Sequence, residues 1–198
     1  MGCVMVTAKN FTNTSDFLSQ KQFDEHITLY KGYVGKVNEI TNDLVSFQGR
    51  GSANATYSPY RALKKGETYA LDGMILHELY FPLLGNKETR PGEKTGAILE
   101  TYFGGYDNWK EDFTACGMAA RGWAILLYDQ RTDTFRNILL DWHDQGYIAG
   151  AYPLVVMDVY EHAYFTDYGT KKDEYIKRFI HSLRWDLVER KAAGMNKG

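Results

Sequence analysis

The strongest constraint on the fold is a short apolar run that leads directly into three ionisable side chains. Leu154 to Met157 are all apolar, and Asp158, Glu161 and His162 follow at once. Such a run predicts a buried strand. Burying a charge is costly unless the charge is paired or coordinates a metal. One interpretation is an aspartate that caps the next helix beside a packed histidine, and the other is a metal site.

Composition narrows the class of protein. The chain has 198 residues, enough for one sizeable domain or two small packed halves. Lys and Arg number 23 against 25 Asp and Glu, a balance that argues against a nucleic-acid-binding role. Cys3 and Cys116 are too few for a disulfide framework or a cysteine-rich zinc site. We find no apolar segment of the ~20 residues that span a bilayer and no signal peptide, so we expect a cytoplasmic protein.

The first half of the chain is predicted to be helical. Residues 1–17 are polar and irregular, and we expect them to form a flexible arm. Ser19 followed by Gln22 has the pattern of a capping box, and apolar residues spaced three to four apart extend a helix from there to about residue 41. A second helix over about 69–81 is apolar on nearly every side, which predicts that it is buried.

Each of these helices carries a histidine. His26, Tyr30 and Tyr33 would share one face of the first helix. A lone histidine on such a face is more often packed in a core than bound to a metal. His77 lies on the buried helix, where both of its ring nitrogens need partners. A metal together with one hydrogen-bond acceptor would satisfy them.

The second half of the chain changes from helical to strand periodicity. A helical region comes first, with a break at two consecutive glycines, and two strands joined by a turn follow it. The apolar run before Asp158 supplies a third strand, and two helices end the chain. The predicted elements are helices within 96–121, strands at 123–128 and 135–140, and helices at about 161–168 and 173–190.

The predicted fold class is therefore α+β. A long helical hairpin forms an N-terminal domain over residues 1–86. A C-terminal domain over residues 87–198 holds a three-stranded antiparallel sheet surrounded by helices.

Four residues now stand out as candidate metal ligands: His26, His77, Asp158 and His162. Three neutral imidazoles and one carboxylate suit a first-row metal such as iron, manganese or zinc. They do not suit magnesium or calcium, which prefer shells made of oxygen atoms.

Four separated blocks of sequence resemble the iron/manganese superoxide dismutases. Residues 158–164, DVYEHAY, resemble the family signature DVWEHAYY. Residues 76–81 resemble its NHxxFW segment, residues 122–124 its GWxW strand, and residues 175–186 its closing helix, which ends in NWD. The blocks occur in the family's order and spacing, and the similarity covers nearly the whole chain.

This resemblance implies one iron or manganese ion per subunit, held by the four candidate ligands, and dismutation of superoxide to dioxygen and hydrogen peroxide. It implies that Tyr33 holds a proton-relay water. It also implies that His143, or alternatively Gln145, bonds a solvent molecule that completes the coordination of the metal. Trp123 and Tyr160 would belong to an apolar shell around the site.

The resemblance further implies a homodimer, or a tetramer, in which Glu161 reaches the last histidine ligand of the partner subunit. The first helix departs from the family pattern, because a second histidine that the family carries there is absent. Tyr30 is the candidate to take its place. Phe165 stands where the family has a tyrosine that contacts this missing histidine.

Two alternatives stay open on sequence alone. The first is a related fold with another metal task, a non-haem oxygenase or a zinc hydrolase. The third histidine argues against the oxygenase, and a hydrolase would need a general base, for which Glu161 and Glu78 are candidates. The second alternative is a non-catalytic relative that keeps the ligands for stability. The choice between iron and manganese also stays open.

Overall fold

The computed structural model describes residues 5–195, and residues 1–4 and 196–198 lie outside the described part. Helices surround one three-stranded sheet within that range, as the α+β prediction expected. The helices are α1 (Gln20–Ser46), α2 (Pro59–Tyr80), α3 (Glu93–Phe103), α4 (Tyr106–Ala119), α5 (Phe165–Tyr168), α6 (Lys172–His181) and α7 (Trp185–Gly194). The strands are β1 (Trp123–Asp129), β2 (Thr134–Leu140) and β3 (Tyr152–Asp158).

Helix α1 begins where its capping residue predicts. The Ser19 hydroxyl accepts a hydrogen bond from the Gln22 amide at 3.1 Å, which satisfies one of the free donors of the first turn. The helix is α-helical throughout and runs on to Ser46. Because the helix is regular, a spacing of seven residues corresponds to about two turns. Tyr33 therefore lies on the same face of α1 as His26.

Helix α2 begins at Pro59 rather than near residue 69. Ser58 caps it by accepting from the Arg61 amide at 3.2 Å, and proline is well suited to a first helical position. Lys64, Lys65 and Gly66 favour a turn on sequence alone, but they lie inside the helix. Helix α2 packs antiparallel to α1, which brings its last turn, with His77, next to His26.

The sheet has the strand order β2-β1-β3 and is antiparallel throughout. The central strand β1 is paired along both of its edges, and its residues are buried from Trp123 to Tyr128. Trp123 is the register partner of Asp158, the last residue of β3. The pairing of β1 with β3 therefore places Trp123 next to Asp158.

Residues 5–17 correct the expectation of a flexible arm, because they lie against the two long helices. Val6 exchanges two hydrogen bonds with Asn38, each of 2.9 Å. The Phe11 ring packs at 5.0 Å from the Phe81 ring, and the Phe17 side chain is buried. The sequence could not predict this packing, because the isolated aromatic residues in this polar stretch show neither helical nor strand periodicity. The part of the predicted arm over 1–4 lies outside the described residues.

The closing helices also differ from prediction. The helix expected over 161–168 is a 3₁₀ turn, Glu161–Ala163, followed by the short α5. The single last helix is divided into α6 and α7, because the intervening Leu183 bridges to Leu84. In the described part of the chain, no helix has the length and apolar character needed to cross a membrane.

Candidate metal centre

Four side chains from four elements of the fold converge on one point. His26 comes from α1, His77 from the last turn of α2, Asp158 from the end of β3, and His162 from the 3₁₀ turn that follows it. Their potential ligand atoms all lie within 4.8 Å of one another. Asp158 Oδ2 is 3.2 Å from His26 Nε2, 3.5 Å from His77 Nε2 and 3.1 Å from His162 Nε2.

The free nitrogen of His77 shows that this cluster suits a metal ion. His77 Nδ1 donates to the Gly73 carbonyl at 2.5 Å, so Nε2 carries the lone pair that faces the other three side chains. His77 Nε2 is buried without a hydrogen-bond partner among the described residues. Buried polar atoms are rarely left without a hydrogen-bond partner. An imidazole nitrogen that faces a carboxylate and two further imidazoles is a suitable ligand for a first-row metal ion.

The pKa shifts favour the protonation states that a metal requires. Burial lowers the pKa of His77 to about 3 and also lowers the pKa of His26. Burial alone would raise the pKa of Asp158, but attraction and hydrogen bonds from His162 and His26 outweigh it, and the pKa falls far below its usual range. The two buried imidazoles are therefore neutral and the carboxylate is ionised, as ligation demands.

Hydrogen bonds orient the carboxylate. Asp158 Oδ1 accepts from the Tyr160 amide at 3.0 Å, which leaves Oδ2 for the histidines. The Asp158 carbonyl accepts from the Tyr175 hydroxyl at 2.8 Å, and Tyr175 is in turn 3.0 Å from the Tyr80 hydroxyl. The sequence analysis did not single out these two buried tyrosines, and nothing in their local pattern distinguishes them from other core aromatic residues.

His143 lies beside the cluster with a defined tautomer. Its Nδ1 accepts the indole N–H of Trp123 at 2.9 Å, and its Nε2 is 2.7 Å from the Tyr33 hydroxyl. Because an indole nitrogen only donates, the hydrogen of a neutral imidazole must be on Nε2, and His143 donates to Tyr33. Burial lowers the pKa of His143 to about 4, so the ring is neutral.

Tyr33 is held between this imidazole and helix α2. A Cβ atom added to Gly73 would lie 2.9 Å from Cδ1 of Tyr33, so a glycine is needed where the two helices meet. Burial raises the pKa of Tyr33, and the neutral hydroxyl keeps its proton at physiological pH. The Tyr69 ring, 4.6 Å from His143, closes the other side and was not singled out from the sequence.

Other predicted residues lie in three different places. Tyr160 stacks on His162 at 5.2 Å, and with Trp123 it packs around His143. Tyr30 points away from Tyr33, since its hydroxyl donates to Glu78 Oε1 at 2.8 Å. Gln145 and Glu161 are exposed. The structure thus brings Tyr33, His143, Trp123 and Tyr160 together, and it does not bring Tyr30 or Gln145 to them.

Comparison with known proteins identifies the family. Residues 91–191 match the model of the C-terminal domain of iron/manganese superoxide dismutases. The chain is 42% identical over 176 residues to the superoxide dismutase [Fe] of Aquifex pyrophilus. The aligned residues cover 86% of this chain and 82% of the relative. It is 32% identical over 164 residues to superoxide dismutase [Mn] 1 of Halobacterium salinarum, covering 81% and 79%. The chain belongs to the iron/manganese superoxide dismutase family.

The superoxide dismutase [Fe] of Cupriavidus metallidurans is a further relative, 35% identical over 172 residues that cover 85% of each chain. The resemblance found in the four sequence blocks is therefore confirmed. The names of these relatives include both metals, in agreement with a donor set that suits either one.

Proposed function

We propose that this protein dismutates superoxide with one iron or manganese ion held by His26, His77, Asp158 and His162. The observation that carries the proposal is the convergence of three imidazole nitrogens on one ionised carboxylate, with His77 Nε2 buried and unpaired among the described residues. Family membership supplies the reaction class.

When bound, the ion supplies one-electron chemistry, alternating between the +3 and +2 states so that two superoxide anions and two protons give dioxygen and hydrogen peroxide. The protein itself has three tasks. It must hold the ligands in their required protonation states, provide protons, and limit access to the centre.

Asp158 is the one anionic ligand, and its charge favours the more oxidised ion. The carboxylate is fully buried, so few water dipoles compete with its field. The Tyr160 amide and the histidines hold it in one orientation. Asp158 therefore contributes to the potential as well as to the affinity for the metal.

Tyr33 and His143 form the proposed proton-holding pair. His143 Nε2–H donates to the Tyr33 oxygen, so the hydroxyl hydrogen of Tyr33 is directed to an acceptor other than His143. The Tyr33 ring lies 5.4 Å from the His77 ring, so the pair stands beside the candidate ligands. Trp123 holds His143 in the tautomer that this arrangement needs. We assign Tyr33 the role of proton donor and His143 that of its partner.

The aromatic rings around the pair restrict access. Trp123 is fully buried, and Tyr160 and Tyr69 pack at 5.1 Å and 4.6 Å from the His143 ring. Small anions can pass such a shell more readily than larger reductants, so we assign these rings the task of excluding competing reactions.

The proposal includes a homodimer built around Glu161. The His162 side chain is 26% exposed although the other three ligands are almost completely buried. The Glu161 carboxylate beside it is exposed, and Phe165 is 47% exposed. A second subunit that covered this surface would complete the burial of the site, and its Glu161 would bond His162.

A cytoplasmic location also belongs to the proposal, and cell fractionation tests it.

Metal analysis combined with a superoxide assay tests the function. The protein is produced with both iron and manganese available, and its metal content is measured. Superoxide is then generated by pulse radiolysis, and its decay is observed directly. We expect close to one iron or manganese ion per chain and rapid decay. His77→Ala removes both, whereas the matched control His181→Ala changes an exposed histidine of α6 and retains them. A zinc-containing protein without dismutation would contradict the proposal and favour the hydrolase or the structural alternative.

A further inference from the structure

The N-terminal strap, which we define as residues 5–14, is anchored at both of its ends. Near its start, Val6 exchanges two hydrogen bonds with Asn38 of α1. At its end, the Thr14 hydroxyl donates to the Leu84 carbonyl at 2.9 Å. Between these anchors the strap contacts both of the helices that carry His26 and His77.

A closed polar network ties the middle of the strap to both helices. The Lys9 amide donates to the Tyr30 hydroxyl oxygen at 2.9 Å, and that hydroxyl donates to Glu78 Oε1 at 2.8 Å. Lys9 Nζ closes the network at 2.5 Å from Glu78 Oε2. Tyr30 is fully buried and the Glu78 side chain is 14% exposed, so the hydrogen bond between them is largely shielded from water.

An aromatic layer connects the strap with the ligand rings. The Phe11 ring lies 5.7 Å from Tyr30 and 5.0 Å from Phe81. The Phe81 ring lies 4.9 Å from His26 and 5.9 Å from His77. Only one ring therefore separates the strap from two of the metal ligands.

The positions of the network residues explain what it can do. Tyr30 follows His26 by four residues on the same face of α1, and Glu78 is the residue directly after His77. A hydrogen bond between Tyr30 and Glu78 joins the two helices at the level of their ligands. Its length therefore limits how far His26 and His77 can move apart.

We propose that the middle of the strap, through the contacts of Lys9 and Phe11 with Tyr30 and Glu78, braces the metal centre, and that Tyr30 and Glu78 are positioning residues that set the spacing of His26 and His77. The inference rests on the proposed function only in that these histidines hold a metal. Outer groups that fix ligand geometry slow the release of a metal, because the ligands cannot open one at a time. A strap that served stability alone would have no such effect.

Metal release from the full-length holoprotein tests the brace. Tyr30→Phe keeps the ring and removes both hydrogen bonds. The rate of metal loss to an excess of a strong chelator is measured at 25 °C, together with the thermal midpoint. We expect about tenfold faster loss from Tyr30→Phe. Glu78→Gln keeps an acceptor for Tyr30 but loses the ion pair with Lys9, and we expect a smaller increase.

Asn38→Ala is the matched control, because it breaks the strap at the anchor that does not touch the aromatic layer. We expect it to lower the thermal midpoint and to leave the rate of metal loss unchanged. If Tyr30→Phe and Asn38→Ala lower the midpoint and neither changes metal loss, the strap is a stability element and the proposal is overturned. A wild-type protein that retains metal without dismutation overturns the proposed function and not the brace. A wild-type protein that binds no metal overturns both.

Discussion

The hydroxyl of Tyr33 accepts a hydrogen bond from Nε2 of His143 at 2.7 Å, and this bond joins the first helix to the loop between β2 and β3. The direction of the bond follows from the other ring nitrogen, which accepts from the Trp123 indole. The pair is thus set by three parts of the chain that lie far apart in sequence.

Substitution of His143 tests the direction of this bond. His143→Gln can accept from the indole with its amide oxygen and donate to Tyr33 with its amide nitrogen. His143→Leu can do neither. We expect turnover to fall about 10–100-fold in His143→Leu and much less in His143→Gln, measured by superoxide decay at equal metal content. Equal losses in the two variants would show that the hydrogen bonds do not matter.

Gly73→Ala separates helix stability from activity. Alanine favours a helix by about 1 kcal/mol over glycine. At this position, however, its Cβ would lie 2.9 Å from a Tyr33 ring carbon and push the ring aside. We expect activity to fall on the order of tenfold while the metal content is unchanged.

Gly35→Ala provides the comparison for this variant, because a Cβ at Gly35 meets nothing within 4 Å. It should leave activity at the wild-type level. If Gly73→Ala behaves in the same way, contact with that glycine does not hold Tyr33 in place.

Glu161→Gln tests the proposed dimer. Loss of the charge removes a charge-assisted hydrogen bond to His162 of the second subunit. We therefore expect a larger dissociation constant for the dimer and a lower metal content. Sedimentation velocity and metal analysis measure the two effects. Glu174→Gln changes an exposed glutamate of α6, and we expect neither effect from it. A monomeric wild-type protein with a full metal content would rule out this part of the proposal.

Metal removal should lower stability, because a ligand that binds only the folded state adds free energy of unfolding. At a free metal concentration about 1,000 times its dissociation constant, the gain is ~4 kcal/mol. We expect the thermal midpoint to fall after chelation and to recover when iron or manganese is added back. The midpoint of His77→Ala should not respond to either metal.

Lys191 gives stability a pH dependence of its own. Burial lowers the pKa of its ammonium group to about 8 in the folded protein. Below pH 8 the folded and unfolded chains both carry the charge, and the cost of burying it is fully present. Between pH 8 and the ordinary lysine value of about 10.4, only the unfolded chain still binds the proton, so the stability of the wild type rises with pH.

Urea unfolding at pH 7 and at pH 10 measures this effect. Relative to Lys191→Met, the wild type should gain stability between the two pH values. Lys87→Met changes an exposed lysine, and its difference from wild type should stay constant. A constant difference for Lys191→Met as well would show that the amine is not effectively buried.

The general order of elements and the four candidate ligands that the structure brings together could be predicted from the sequence. The Ser19 cap and the apolar run before Asp158 act over a few neighbouring residues, so their signals are local. His77 could be recognised because it lies on a helix that is apolar nearly all round. The start of α2 was missed although its Ser58-Pro59 signal is equally local.

Other features depended on contacts between distant segments. Residues 5–17 looked free in sequence, but their Phe11 and Phe17 side chains find partners on other elements. Tyr30 is the candidate on sequence for the place of the missing second histidine, yet its hydroxyl belongs to a network with Lys9 and Glu78.

The sequence by itself determined which residues can bind a metal, because ligand chemistry belongs to the side chain and its place at the end of a strand or on a helix face is a local property. The tertiary structure decided which residues accompany them. His143 rather than Gln145 lies inside because the loop after β2 turns the imidazole toward Trp123. That choice depends on the direction in which a side chain points, and only the packing of distant segments sets it.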